Sequence, residues 1–444
     1  MSKIHATEGN VATESEGAPK LVELLQEESS PMGFMYVPGV NTISFFTGDI
    51  DEAHQYYTEK LKQVLAVNPW LAGTLITKKE GKIDKVYLQY PEPTIDADAM
   101  TRSVLEKDTQ GIIKVSPTCT YLENFKALNA GKNCLIPDGY TSISTKKPLS
   151  KFTLVPCDDG GFAFIVSISH VVSDGYTYYK VLSQLTANGT IEELNTLRKQ
   201  EYSEQVKNVV GQSQSDFIFG VNMYNMGFLY QMIGNMCCCK SSKRYMAYYV
   251  DPEKVKELKE NVKKEGEVAY CSTNDLITSH FSTITNATMV QFAINVRKRM
   301  PKLLNEKDCG NYETLLLLRK DIYEKPAGIR KAINHADQTS TFSHAGSEGK
   351  LPLLKGCEAL RAKSSILTTW NFDSYCGDLS FGNCSMKLHI PMMETTGMPM
   401  SLAIVFKATP TRIGVLYMVD PSVARSILSS ETCPVASEEC FPAC

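Results

Sequence analysis

The chain has 444 residues, more than the roughly 250–300 at which one hydrophobic core stops growing, so two units of about 200 residues are expected. It is 43% hydrophobic, 21% charged and 9% aromatic, which excludes wholesale disorder, collagen-like repetition and a chain-long coiled coil. Lys+Arg 46 against Asp+Glu 49 leaves no global basic field, and nucleic acid is not an expected partner.

Residues 1–18 are small and polar and read as a mobile tail. They lack the apolar core of a signal peptide and the arginines of a transit peptide, so a cytoplasmic, reducing compartment is expected. The segment KLVELLQEE then suggests a short helix. NTISFFTGDID follows as a strand that ends at an acidic helix start, and 51–66 carries Ala53, Tyr56, Tyr57, Leu61, Val64 and Leu65 at helical spacing. That helix stops at Asn68-Pro69. WLAGTLITKK and KIDKVYLQY read as antiparallel strands.

Two β-rich runs, KFTLVPC and GFAFIVSIS, flank the turn signal Asp158-Asp159-Gly160-Gly161. The second runs directly into His170-Val-Val-Ser-Asp174-Gly175, after which YTYYKVLSQL has helical periodicity. Residues 186–215 are polar and partly helical, a connection between units. From 217 to 239 there is no charge. YMAYYVDPEKVKELKENVKK then opens a second unit, Ser272 to Asp275 caps a helix, and MVQFAINVRKRM is a strand with a basic end. MSLAIVFKATPTRIGVLYMV reads as a hairpin. The expected division is a tail at 1–18, units at 19–205 and 246–428, a crossover at 206–245, and a loose cysteine-containing tail at 429–444.

The histidine therefore sits where a buried strand gives way to a helix. A neutral imidazole there is a competent general base near pH 7, with an ordinary pKa of about 6.5. Asp174 either holds the ring or pairs with a cation and locks the loop. Gly175 permits a tight turn or a close backbone approach. Chemistry alone leaves a second reading open, a core histidine beside a helix-capping aspartate.

HVVSDG resembles the His-x-x-x-Asp-Gly signature of the chloramphenicol acetyltransferase-like superfamily, in an arrangement similar to the BAHD acyltransferases and, more distantly, to peptide-synthetase condensation domains. NPWLAGTL, FAINVRKRM, CGNYETLLL, LTTW and YCGDLSFGN resemble further family elements, in family order, over roughly residues 40–425. Thr74 stands where relatives have an arginine, Ser169 where many have a second histidine, and Phe381 in place of a tryptophan. The resemblance implies an α/β fold of two similar domains, each a mixed sheet with flanking helices, meeting at a central channel.

It also implies acyl transfer from acyl-CoA, a co-substrate rather than a bound cofactor, to an alcohol or amine, with His170 as base and no acyl-enzyme. Asp174 would pair with Arg297 across the loop, and Asp378 would share that cation. Thr368 or Trp370 would position substrate or hold the oxyanion. Arg297, Lys298 and Arg299 would help bind coenzyme A phosphates, or else form a solvated basic strand end. A monomer is expected. The alternatives are a condensation-type enzyme using a carrier-protein thioester and a non-catalytic ligand-binding relative.

The fourteen cysteines form no CxxC pair and no zinc-spaced ladder, so no metal site is expected. The uncharged run is long enough to span a bilayer, but its asparagines and glycines make it a poor transmembrane helix. It reads either as a crossover packed on the protein or as an interfacial anchor over 217–244, with Cys237, Cys238 and Cys239 as S-acylation candidates beside Lys240, Lys243 and Arg244.

Overall fold

The computed structural model describes residues 18–443 except 31–32, 82, 92–95, 131–133, 212–216, 219, 239–242, 340–353, 355, 371–377 and 394–397. Strands and helices are interspersed along the chain, with β1 Lys20–Glu23, β2 Val40–Thr47, β3 Thr74–Glu80, β4 Ile83–Tyr90, β5 Leu105–Lys107, β6 Ser150–Pro156 and β7 Phe162–Ile168 in the first half. The second half holds β8 Arg244–Val250, β9 Met289–Asn295, β10 Glu313–Leu318, β11 Ser364–Trp370, β12 Ser385–Met392, β13 Met400–Lys407, β14 Ile413–Val419 and β15 Val435–Glu439.

Two mixed sheets carry the architecture, one ordered β12-β2-β7-β6-β5 and the other β10-β9-β11-β13-β14-β8-β15, with β1-β4-β3 as a smaller sheet. The β6–β7 hairpin pairs Ser150 with Ile168 and Pro156 with Phe162, and β7 is buried throughout. Such a continuous apolar run fits a central strand covered on both faces. Helix Ile50–Val67 begins at Asp49, whose side chain accepts from the amides of Asp51 and Glu52, and it lays Tyr57, Leu61 and Leu65 on the core side.

Three expectations are corrected. KLVELLQEE is not one helix: Lys20–Glu23 pair antiparallel with Tyr87–Tyr90 and only Gln26–Ser29 turn helically, tertiary pairing overriding local propensity. Strand β12 lies within 246–428 but adds to the first unit's sheet, its Ile390 opposite Ile43 of β2, so one strand of the second half ties the two sheets together. The described part of the expected loose tail, 429–443, is not loose: β15 pairs with β8, and Cys433, Cys440 and Phe441 are buried.

Within the crossover, the helix Met223–Cys238 forms. Among the described residues no helix is long and apolar enough to cross a membrane. The tail at 1–17, Cys239, Lys240 and Cys444 lie outside the described residues.

Candidate active site

His170 follows the end of β7, and Asp174 caps the next helix, Gly175–Gln184, by accepting from the amide of Thr177 at 2.8 Å. Both readings of Asp174 thus meet in one residue. Its carboxylate also takes a forked pair from Arg297, Nη1 at 2.7 Å and Nη2 at 3.2 Å. Both side chains are 1% exposed. Arg297 donates further to the carbonyls of Asp308 and Gly310 and to Thr177, and its guanidinium lies over the rings of Tyr176 and Tyr312. A bidentate arginine so surrounded fixes the loop rigidly.

A second buried ion pair lies beneath the first. Glu28, from the one-turn helix Gln26–Ser29, accepts from Arg198 Nε at 2.7 Å, and both side chains are fully buried. Arg198 donates onward to the carbonyls of Thr196, Cys309 and Val172. Gly310 threads between the two pairs with φ +130°, where an added Cβ would come 2.9 Å from Arg198 Cζ. Only glycine takes that backbone in that space.

Asn311, the next residue, sets the histidine. Its Nδ2 donates to Glu28 Oε1 at 3.1 Å and to the His170 carbonyl at 2.7 Å, which fixes which end of the amide is oxygen. Its Oδ1 therefore faces His170 Nδ1 at 3.1 Å as an acceptor, and Nδ1 carries the proton. Nε2 is left with its lone pair. Phe34 stacks on the ring, centroids 4.7 Å apart at 21°, and the imidazole is 15% exposed. Burial holds its pKa below the usual 6.5, so the ring is neutral at pH 7.

Nε2 lies 3.9 Å from Oε1 of Glu313. Burial, with Asp174 adding to it and Arg297 opposing, pushes the Glu313 carboxyl up to about 8. Glu313, Asn311 and Phe34 close one end of a cavity of about 830 Å³. Its floor is the β9–β10 face, with Gln291, Leu315 and Leu317, while Leu316 and Leu318 turn to the opposite core, the alternation of a strand. Its roof is the inner side of the crossover helix, with Tyr224, Phe228 and Met232. The cavity is predominantly apolar with a few polar lining groups, the usual form of a small-molecule site; His170 is not itself a lining residue but stands directly behind three that are, Phe34, Asn311 and Glu313.

The other expected site residues stand apart. Asp378 is exposed and accepts from the amide and hydroxyl of Ser380; it does not share Arg297, which Asp174 and backbone carbonyls already saturate. Arg297 is 2% exposed, so it is not available to a phosphate. Lys298 is exposed beside Glu306 at 3.4 Å, and Arg299 donates to the Asn295 carbonyl at 3.1 Å; neither lines the cavity. Thr368 and Trp370 do not line it either, and Trp370 is buried edge-on to Tyr179. Gly175 opens its helix as a buried residue without the positive φ of a tight turn.

Cys237 is exposed on the crossover helix, with Cys238 beside it in that helix. No cluster of three potential metal ligands occurs among the described residues. Sequence reasoning missed Glu28, Phe34, Arg198 and Glu313 and gave Asn311 no role, although the Gly-Asn pair was visible within CGNYETLLL.

The fold is the two-domain chloramphenicol acetyltransferase-like fold. No protein-family description matches the sequence, and no curated protein is similar to it at the sequence level. Solved structures are similar over nearly the whole chain. F. sporotrichioides TRI101 complexed with coenzyme A and T-2 is 14% identical, with 93% of this chain and 98% of that one covered at a TM-score of 0.56. Vinorine synthase is 14% identical, with 95% and 99% covered at 0.53. The first condensation domain of the CDA synthetase is 13% identical, with 95% and 98% covered at 0.52.

Proposed function

We propose that the protein is an acyl-CoA-dependent acyltransferase that acylates a hydroxyl or amine of a small lipophilic acceptor, with His170 as general base. One observation carries this reading: Asn311 holds Nδ1–H and leaves a neutral Nε2 3.9 Å from Glu313 Oε1, beside the polar residues of an otherwise apolar cavity. The acceptor donates to Nε2, its proton moves there as the heteroatom attacks the thioester carbonyl carbon, and an oxyanion forms. The oxyanion collapses, the carbon–sulfur bond breaks, and the thiolate takes the proton from Nε2. Asn311 Oδ1 stays on Nδ1–H throughout and stabilises the transient imidazolium. Asp174 and Arg297 act by positioning the loop.

That TRI101 was solved with coenzyme A and T-2 supports a thioester donor and a bulky acceptor. The test is thiol release and product mass with a panel of acyl-CoA esters and mixed alcohols and amines. An acylated acceptor formed with stoichiometric free thiol is expected. Turnover only with a carrier-protein thioester would favour the condensation reading, and acceptor binding without any thiol release would favour a non-catalytic relative.

We propose further that the crossover helix contacts a membrane surface peripherally. Its outer side exposes Met223, Tyr230 and Ile233 at spacings of seven and three, one apolar stripe, and Cys237 continues it. Hydroxylamine-releasable membrane association on cell fractionation is expected; protein found wholly in the soluble fraction contradicts it.

A further inference from the structure

Acylation removes one proton from an alcohol but two from an amine that arrives as ammonium. The second case needs two proton acceptors at one nitrogen. Two such groups face the same point here: His170 Nε2 and Glu313 Oε1 are 3.9 Å apart, too far to bond each other and the right separation for one heteroatom to touch both. The charged side chains among the described lining residues, Glu27 and Glu313, are both acidic, with no lysine or arginine among the described lining residues. Phe34, Tyr202, Phe217 and Tyr224 add aromatic faces, which attract cations.

We propose that Glu313 selects the acceptor, and that the acceptor is a lipophilic primary amine bound as its ammonium ion. This rests on the acyltransferase reading of His170. The Glu313 carboxylate pairs with R–NH3+ and takes one proton, leaving R–NH2 and a neutral carboxyl. The nitrogen lone pair attacks the thioester carbon, the N–C bond forms, and the C=O electrons move onto oxygen. Nε2 takes a second proton from nitrogen. The C–S bond then breaks, the C=O re-forms, and the coenzyme A thiolate is protonated from the imidazolium. The products are amide, free thiol and one proton, which Glu313 returns to solvent.

The titratable and charged groups around Glu313 are His170 from its loop, Asp174 and Arg297 behind it, Tyr202, whose hydroxyl donates to the Glu313 carbonyl at 2.7 Å, and Glu27 as the other acidic residue lining the cavity. Since the carboxyl titrates near pH 8 and His170 is already neutral above 6.5, amine affinity should rise between pH 7 and 8.5. An alcohol's should not.

The experiment compares primary arylalkylamines with their isosteric alcohols, measuring binding by calorimetry and acetyl-CoA thiol release, for wild type, Glu313→Gln, Glu313→Asp and His170→Ala. Wild type should prefer the amines. Glu313→Gln should lower the amine-to-alcohol ratio at least ten-fold, in binding and in kcat/KM, and Glu313→Asp should restore part of it. His170→Ala should still bind amines while losing thiol release, so failure of the base assignment is read separately from failure of amine selection. Alcohols bound or used as well as amines, no binding of any amine, or a preference that survives Glu313→Gln each overturns the proposal.

Discussion

Replacing Asp174 by asparagine keeps the volume and the Oδ1 acceptor for the Thr177 amide, but removes the charge opposite Arg297. The Arg297 side chain is 1% exposed, and the asparagine turns an N–H group toward its Nη donors. Breaking a buried ion pair from one side costs about 3–5 kcal/mol, out of a total of about 5–15 kcal/mol for a folded protein. At about 2 °C per kcal/mol for a large domain, the thermal midpoint should fall by at least about 6 °C. The assay is thermal unfolding followed by near-ultraviolet circular dichroism, with Arg297→Met and the double variant Asp174→Leu/Arg297→Met measured alongside. The double variant should be more stable than the sum of its parts, because no lone charge remains buried. Asp174→Asn unfolding within about 1 °C of wild type, or strictly additive effects on the same ΔG scale, would refute the clamp.

Asn311→Ala removes the acceptor of the imidazole Nδ1–H, and should lower kcat about 10–100-fold, in the range attributed to losing one orienting partner, with little change in KM; an unchanged kcat counts against the tautomer assignment. Gly33→Ala places a Cβ 1.9 Å from the Glu27 carbonyl oxygen and must displace the loop bearing Phe34, so activity should drop while global stability is largely kept; a fully active variant shows that the stacked ring is dispensable. His389, between Ser44 Oγ at 2.8 Å and Tyr179 OH at 3.0 Å, has its pKa lowered by burial to about 4. At this residue folded protein therefore binds fewer protons than unfolded below pH 6.5, and His389 alone should take about 2 kcal/mol from stability on going from pH 7 to 5, besides the like contribution of buried His280. Urea titrations at both pH values should show that loss shrinking in His389→Gln, and an equal loss in both proteins would place the acid sensitivity elsewhere.

Local signals were readable in the residues. The Asp49 cap and the apolar spacing of 50–67, the two hairpins of 150–168 and 400–419, and a histidine at the end of a buried strand all follow from patterns within a few positions. What joins distant segments was not readable. Glu28 sits in a polar run, QEES, that looks like a solvated helix face, and its buried state depends on Arg198, 170 positions away. Strand β12 chooses β2 as partner across more than 300 residues, a choice no period encodes. Glu313 opens a strand as an ordinary exposed-looking polar residue, and only the approach of His170 gives it chemistry. The Asp174–Arg297 pairing came from family resemblance, since one aspartate and one arginine 123 positions apart carry no local mark.

The most direct measurement is the pH dependence of kcat/KM for acyl-CoA thiol release to an alcohol acceptor, whose binding does not depend on the Glu313 charge, by wild type and His170→Ala. The wild-type acid limb should have its midpoint below 6.5, because burial disfavours the imidazolium, and the variant should be slower by about 10²–10⁴-fold, the usual contribution of a positioned base. Thiol released at equal rates by both proteins, or a limb centred above 6.5, would contradict the placing of a neutral imidazole at the centre of the reaction.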